Sequence, residues 1–92
     1  MSLTSVGNPA WDTIRGVRFG MLFGPTLVAI LVTRDAIYTL EPQTLDDGGH
    51  IARFNRHRHV FELVAKTKHD RGQLEENGAV TVQAGDLKAQ SL

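Results

Sequence analysis

The stretch of sequence that decides the fold is VRFGMLFGPTLVAILVT, residues 17–33. In residues 17–23 every odd position is apolar, which is the period of a strand with one face in a core. Residues 26–33 are apolar on both faces and predict a central or doubly covered strand. Gly24-Pro25 lies between the two segments as a turn signal, so we expect an antiparallel hairpin.

Residues 34–40, which follow the hairpin, leave two alternatives open. Ile37, Tyr38 and Thr39 favour a third strand, because β-branched and aromatic residues fit a pleated surface. Thr33 and Asp35 favour a short helix instead, with Thr33 as the N-cap and a negative charge in the first turn. Propensity alone does not decide between strand and helix.

A long amphipathic helix is predicted from about His50 to Arg71. The residues that recur on its apolar face are Ile51, Phe54, Phe61 and Ala65. Arg58 falls inside the same arc. Glu62 follows Arg58 by four residues, a spacing at which opposite charges on a helix attract.

The last predicted element is a half-buried strand over residues 79–84. Val80, Val82 and Ala84 share one of its faces, and Gly85-Asp86 ends it. Residues 1–10 and 88–92 are unpatterned and are expected to be loose tails on a single domain, residues 11–87.

Composition excludes several classes of protein. The 92 residues contain no cysteine, which rules out disulfides, thiolate zinc sites and cysteine nucleophiles. The longest apolar run, Leu27–Val32, is far shorter than the roughly 20 residues needed to span a bilayer. The first nine residues lack the features of a signal peptide, so a soluble cytoplasmic protein is expected.

Three groups of residues occur in an order that is similar to a known family. They are Trp11-Asp12 with Arg15, Val17 and Phe19; then Phe54, His57-Arg58, Phe61-Glu62 and Ala65; then Gly78-Ala79-Val80-Thr81-Val82 followed by Asp86. Residues 11–87 thereby resemble the small stand-alone bacterial proteins of domain-of-unknown-function family 1488. The resemblance implies an α+β domain with a hairpin, a short helix, a long helix and a last strand. It favours helix for residues 34–40 and brings no activity, substrate or cofactor.

The expected fold is therefore α+β, with a three-stranded sheet and one long helix packed across a face. In this fold we expect a structural set on the long helix, namely Phe54, Arg58, Phe61, Glu62 and Ala65. Since a buried guanidinium must have its donors satisfied, Arg58 is expected to pass the two phenylalanines and pair with Glu62 or with a loop carboxylate. The alternative is an arginine that holds an anion, with His57 beside it.

Basic charge concentrates on the long helix. Residues 50–71 contain six Lys or Arg and two Asp or Glu, a net charge of +4, and the rest of the chain has four against eight, a net of −4. Arg53 and Arg56 are expected on the helix face away from the core. Together with His57 and Arg58 they form a candidate surface for an anionic ligand or nucleic acid. Nucleic-acid binding is nevertheless not the favoured interpretation, because acidic residues interleave the basic ones and the whole chain is neutral.

Neither a metal site nor an active site is predicted. All four histidines fall in residues 50–69, but His57 and His59 are two apart and would point to nearly opposite sides of a helix. No serine or threonine stands beside a histidine in a nucleophile motif, and no glycine-rich loop has a phosphate-binding pattern. We expect no cofactor and no enzymatic activity.

The favoured function is a self-associating interaction module, because the predicted sheet has more apolar surface than one helix can cover. One long helix covers one side of a three-stranded sheet, yet the second hairpin strand is apolar on both sides. Val60, Leu63 and Val64 of the long helix also lie outside its main apolar arc. A large exposed apolar patch marks an interface, so a two-fold homodimer is expected. The alternative is a monomer whose N-terminal segment folds back over the open face.

Overall fold

The computed structural model describes residues 2–40 and 49–90. In these residues the strands are β1 Thr4–Ser5, β2 Trp11–Thr13, β3 Gly16–Phe23, β4 Thr26–Thr33 and β5 Val80–Val82. The helices are α1 Arg34–Leu40, α2 Gly49–Arg56, α3 Arg58–Asp70 and α4 Ala84–Gln90. The predicted α+β class is confirmed.

The antiparallel hairpin forms as predicted. Strands β3 and β4 pair along their whole length, from Gly16 opposite Thr33 to Phe23 opposite Thr26. Gly24 in the connecting turn has φ +59°, a conformation that suits glycine. The hairpin therefore follows directly from local sequence.

The sheet is larger than the predicted three strands. Its order is β1-β3-β4-β5, and β2 also pairs with β3. Thr4 of β1 lies opposite Leu22, and Leu3 is buried in the core, so the expectation of a loose tail is wrong for these residues. Strands of two or three residues carry no readable periodicity, because pairing with β3 rather than local propensity defines them.

Strand β5 joins the other edge of β4 in parallel, with Leu31 opposite Thr81. A parallel pair requires a crossover connection, and helices α1, α2 and α3 lie in that crossover. The helices pack on the sheet face that carries Val17, Phe19 and Ile30.

Residues 34–40 form helix α1 rather than a strand. The Thr33 hydroxyl accepts a hydrogen bond from the Ala36 backbone N–H at 3.3 Å, which is the N-cap contact that the sequence offers. Ala36 and Ile37 are buried on the inner side of the helix. This outcome agrees with what the family resemblance implies.

The prediction of one continuous helix from His50 to Arg71 is wrong. The chain makes two helices, α2 and α3, with His57 between them. The His57 N–H bonds to the Phe54 carbonyl at 3.0 Å, a tight contact between residues three apart that breaks the α-helical ladder. Val64 is buried with Phe61 and Ala65 in α3, so the expectation that it lies outside the apolar arc is wrong, because residues three and four apart share one helix face.

The last helix, α4, replaces most of the predicted C-terminal tail. Gln83 donates its backbone N–H to the Asp86 carboxylate at 2.8 Å, which caps the first turn. The Lys68 ammonium of α3 donates to Asp86 at 2.9 Å and to the Thr81 carbonyl at 2.7 Å, so one side chain links α3, β5 and α4. Met1 and residues 91–92, also placed in tails, lie outside the described residues.

Candidate functional site

Arg58 of α3 lies between the helices and the sheet. Its Nε donates to the Glu62 carboxylate at 3.0 Å, the partner that the four-residue spacing predicts. Its guanidinium lies over the rings of Phe19 and Phe54, 5.1 and 5.5 Å from their centroids. The Nη2 atom is buried without a hydrogen-bond partner, and these aromatic faces supply the attraction to its charge.

The rest of the predicted structural set surrounds Arg58. Phe54 and Phe61 stack with 5.5 Å between ring centroids, and both are fully buried, as is Ala65. Glu62 also accepts a hydrogen bond from the Ser5 hydroxyl at 2.9 Å, which links α3 to the edge strand β1. This cluster joins helices α2 and α3 to the sheet.

Arg53 does not lie on the outer face of the helix, and that prediction is wrong. The residue is only 3% exposed, and its guanidinium lies 4.8 Å from the centroid of the Tyr38 ring of α1. Helix α2 packs against α1 and presents this position to it. Arginine can occupy this buried position because the methylene part of its side chain is apolar and its guanidinium stacks on an aromatic ring.

The four residues predicted as an anion-binding group are therefore not one surface. Arg53 is directed at α1, Arg58 is directed at the sheet, Arg56 is exposed and His57 is half-buried at the helix junction. Among the described residues, no three His, Asp or Glu side chains are grouped closely enough to hold a metal ion.

The face of the sheet opposite the helices is apolar and exposed. We define the open sheet face by the side chains of Trp11, Arg18, Leu22, Leu27, Ala29 and Leu31. Leu27 is 61% exposed and Trp11 is 56% exposed. Leu27 lies over Gly20, where a Cβ would have no room, so the glycine lets this leucine spread across the face. Strand β4 is thus apolar on both sides, as predicted, while the helices cover one.

A groove of about 710 Å³ crosses one end of the open sheet face. Its floor is a cross-strand row of Arg18, Leu31 and Thr81, one residue from each of β3, β4 and β5. Its two walls are the turn between β2 and β3, which carries Arg15, and the loop of residues 75–79 before β5.

The two sides of the groove carry opposite charge. Arg15 and Arg18 lie on the β3 side, and Glu75 and Glu76 lie on the β5 side. All four residues are exposed, and no ion pair within 4.0 Å joins them in the described part of the chain. Strand β4 lies between the two sides, which places them about 10 Å apart at the usual strand spacing.

Sequence reasoning reached the open sheet face but missed the groove. The two-sided apolar pattern of β4 was a sufficient signal for the face. The acidic loop carried only a turn signal, and nothing local indicates that Thr81 lies beside Leu31, because that neighbour is set by the parallel register of β5 on β4.

Comparisons with protein-family models, with curated proteins and with solved structures found no match. The resemblance to family 1488 therefore stays a prediction. None of the helices in residues 2–40 and 49–90 combines the length and the apolar content that crossing a membrane requires.

Proposed function

We propose that this chain is a non-enzymatic interaction module that forms a homodimer through its open sheet face. The observation that carries the proposal is that β4, a central strand, is apolar on both sides while helices cover one of them. Each exposed Å² of apolar surface costs about 25 cal/mol relative to burial. Exposed Leu27 and Trp11, with half-buried Leu22 and Leu31 on the same face, are the residue types found at protein interfaces.

A second copy of the chain is the occupant that the surface favours. The chain has ten basic and ten acidic residues, so two copies do not repel one another through net charge. The groove at one end of the face carries both signs of charge, which a self-complementary contact needs. In a two-fold arrangement the same patch serves both copies, and the assembly closes at two.

The size of the face sets the expected strength of the dimer. The five strands have 2, 3, 8, 8 and 3 residues, and at about 3.3 Å along a strand and about 4.8 Å between strands they cover a flat area of about 400 Å². Stable interfaces bury about 800 Å² per partner. The dimer is therefore expected to form in the micromolar range and to depend on concentration.

The alternative, an anionic-ligand or nucleic-acid binder that uses the basic helices, has weaker support. Arg53 is buried on the Tyr38 ring, and Arg58 pairs with Glu62, so these two side chains are held within the fold. A phosphate-binding surface needs such groups exposed and directed together. The described helices do not offer that arrangement.

The experiment that tests the proposed function is light scattering on the chain and on two matched variants. The unmodified protein is expected to have a mass near twice its 10.1 kDa chain mass. Leu27→Asp puts a charge on the open sheet face and should return the mass to one chain. Leu63→Asp changes a leucine that is 56% exposed on α3 and should leave the dimer intact.

Circular dichroism on both variants controls for loss of fold. A single-chain mass for the unmodified protein at tens of micromolar would refute the dimer. A dimer that survives Leu27→Asp but dissociates with Leu63→Asp would move the interface to the helical side.

A further inference from the structure

Both walls of the groove are held in place by hydrogen bonds within the chain. In the acidic loop, the Glu75 N–H bonds to the Ala79 carbonyl at 2.8 Å and the Gly78 N–H bonds to the Glu75 carbonyl at 2.9 Å. In the basic turn, the Thr13 hydroxyl donates to the Gly16 carbonyl at 2.7 Å and accepts from the Arg15 N–H at 3.2 Å. Ordered backbone therefore presents Arg15, Glu75 and Glu76, and strand pairing with β4 holds Arg18 on the floor between them.

Within the described residues of one copy these charges form no ion pair, and they lie on opposite sides of β4. Consider two copies whose open sheet faces meet about a two-fold axis parallel to β4, between the two walls of the groove. This rotation places the basic side of one copy opposite the acidic side of the other. A two-fold axis perpendicular to β4 would instead place like charges opposite each other, and such a contact costs several kcal/mol at an interface. Charge thus selects one of the two ways in which the open sheet faces can meet.

We propose that Arg15 and Arg18 of one copy pair with Glu75 and Glu76 of the second copy, and that these contacts set the orientation of the dimer. This inference rests on the proposed function, because it requires a dimer through the open sheet face. Arginine suits the role because its planar fork matches a carboxylate. Four such pairs would flank the two Leu31 side chains on the groove floors.

Charge reversal of each side tests the proposal. One variant carries Arg15→Glu and Arg18→Glu, so its groove is acidic on both sides, and the other carries Glu75→Arg and Glu76→Arg, so its groove is basic on both sides. Each variant alone should dissociate, with a dissociation constant raised by about tenfold or more. A 1:1 mixture should form a heterodimer, because each acidic side then meets a basic side.

The dependence of association on salt concentration distinguishes the charge pairing from dimer formation itself. Sedimentation velocity on the unmodified protein should show weaker association at about 0.5 M than at 0.05 M salt, since added ions screen exposed pairs. If both variants dimerise as well as the unmodified protein and salt has no effect, the charge pairing is overturned while the dimer stands. If the dimer strengthens with salt, like charges meet and the axis runs perpendicular to β4. A monomer under all conditions overturns the proposed function itself.

Discussion

At the scale of single residues, two arginines of the helical region, Arg53 and Arg58, place their guanidinium groups against aromatic rings of other elements. Arg58 was predictable because it occupies a core-facing position with Glu62 one turn further on. Arg53 was not predictable, because its burial depends on the packing of α2 against the Tyr38 ring of a different helix. A contact between two elements does not change the hydrophobic periodicity of either sequence segment, so the periodicity cannot predict it.

Removing either arginine should destabilise the fold. Arg58→Ala leaves Glu62 without its cation, and Arg53→Ala leaves a gap against Tyr38, so each should lower the free energy of unfolding by about 1–3 kcal/mol. Lys66→Ala, an exposed change on the same α3 helix as Arg58, should stay within about 0.5 kcal/mol. Urea unfolding followed by circular dichroism measures all three. Coincident midpoints would contradict the structural role of both arginines.

At the scale of elements, local signals predicted the hairpin and the last strand and left residues 34–40 open between strand and helix, while contacts with distant residues fixed β1, β2 and α4. The hairpin has a period of two and a glycine turn, and α1 has its Thr33 cap. Strands β1 and β2 exist only through pairing with β3, and α4 depends on the Asp86 cap and on Lys68 of α3. Their sequences are too short to carry a pattern of their own.

The start of β3 provides a test at this scale. Gly16 has φ +143°, and a Cβ there would overlap the carbonyl oxygen of Val32 on β4. Gly16→Ala should therefore cost about 3 kcal/mol or more through backbone strain and overlap together. Gly72→Ala is the matched control, because Gly72 also has a positive φ, +73°, but open space around it, and it should cost about 1–2 kcal/mol.

Thermal or urea unfolding of the two glycine variants gives the comparison directly. Equal losses would mean that the close approach of β3 and β4 at Gly16 relaxes without cost. A much larger loss at Gly16 would support the pairing register that sets the open sheet face.

At the scale of the whole molecule, the arrangement of layers leads to the proposed function. Because α1, α2 and α3 all lie in the crossover between β4 and β5, they pack on one side of the sheet. The N-terminal segment pairs at the edge of β3 and buries Leu3 on the helical side; its Asn8 side chain reaches the open sheet face beside Gly20 but leaves Leu27 61% exposed. The surplus apolar side of β4 is thus left for a partner. The sequence predicted this second apolar side of β4, whereas the charged groove beside it could be found only from the three-dimensional structure.

The core lies on the other side of the sheet, which changes how an interface variant must be chosen. Ile30 of β4 is fully buried against the helices, so Ile30→Asp would unfold the chain rather than dissociate a dimer. Leu27 and Leu31 lie on the open sheet face and report on the interface without disturbing the core.

The measurement that tests the central claim most directly is an isotope-filtered nuclear Overhauser experiment. It uses an equal mixture of ¹³C-labelled and unlabelled chain at a concentration where the dimer forms. The account predicts contacts between copies from the methyl groups of Leu27 and Leu31, and from the indole ring of Trp11. Contacts between copies that arise only from the helical side, such as from Leu63, or no contacts at all, would contradict it.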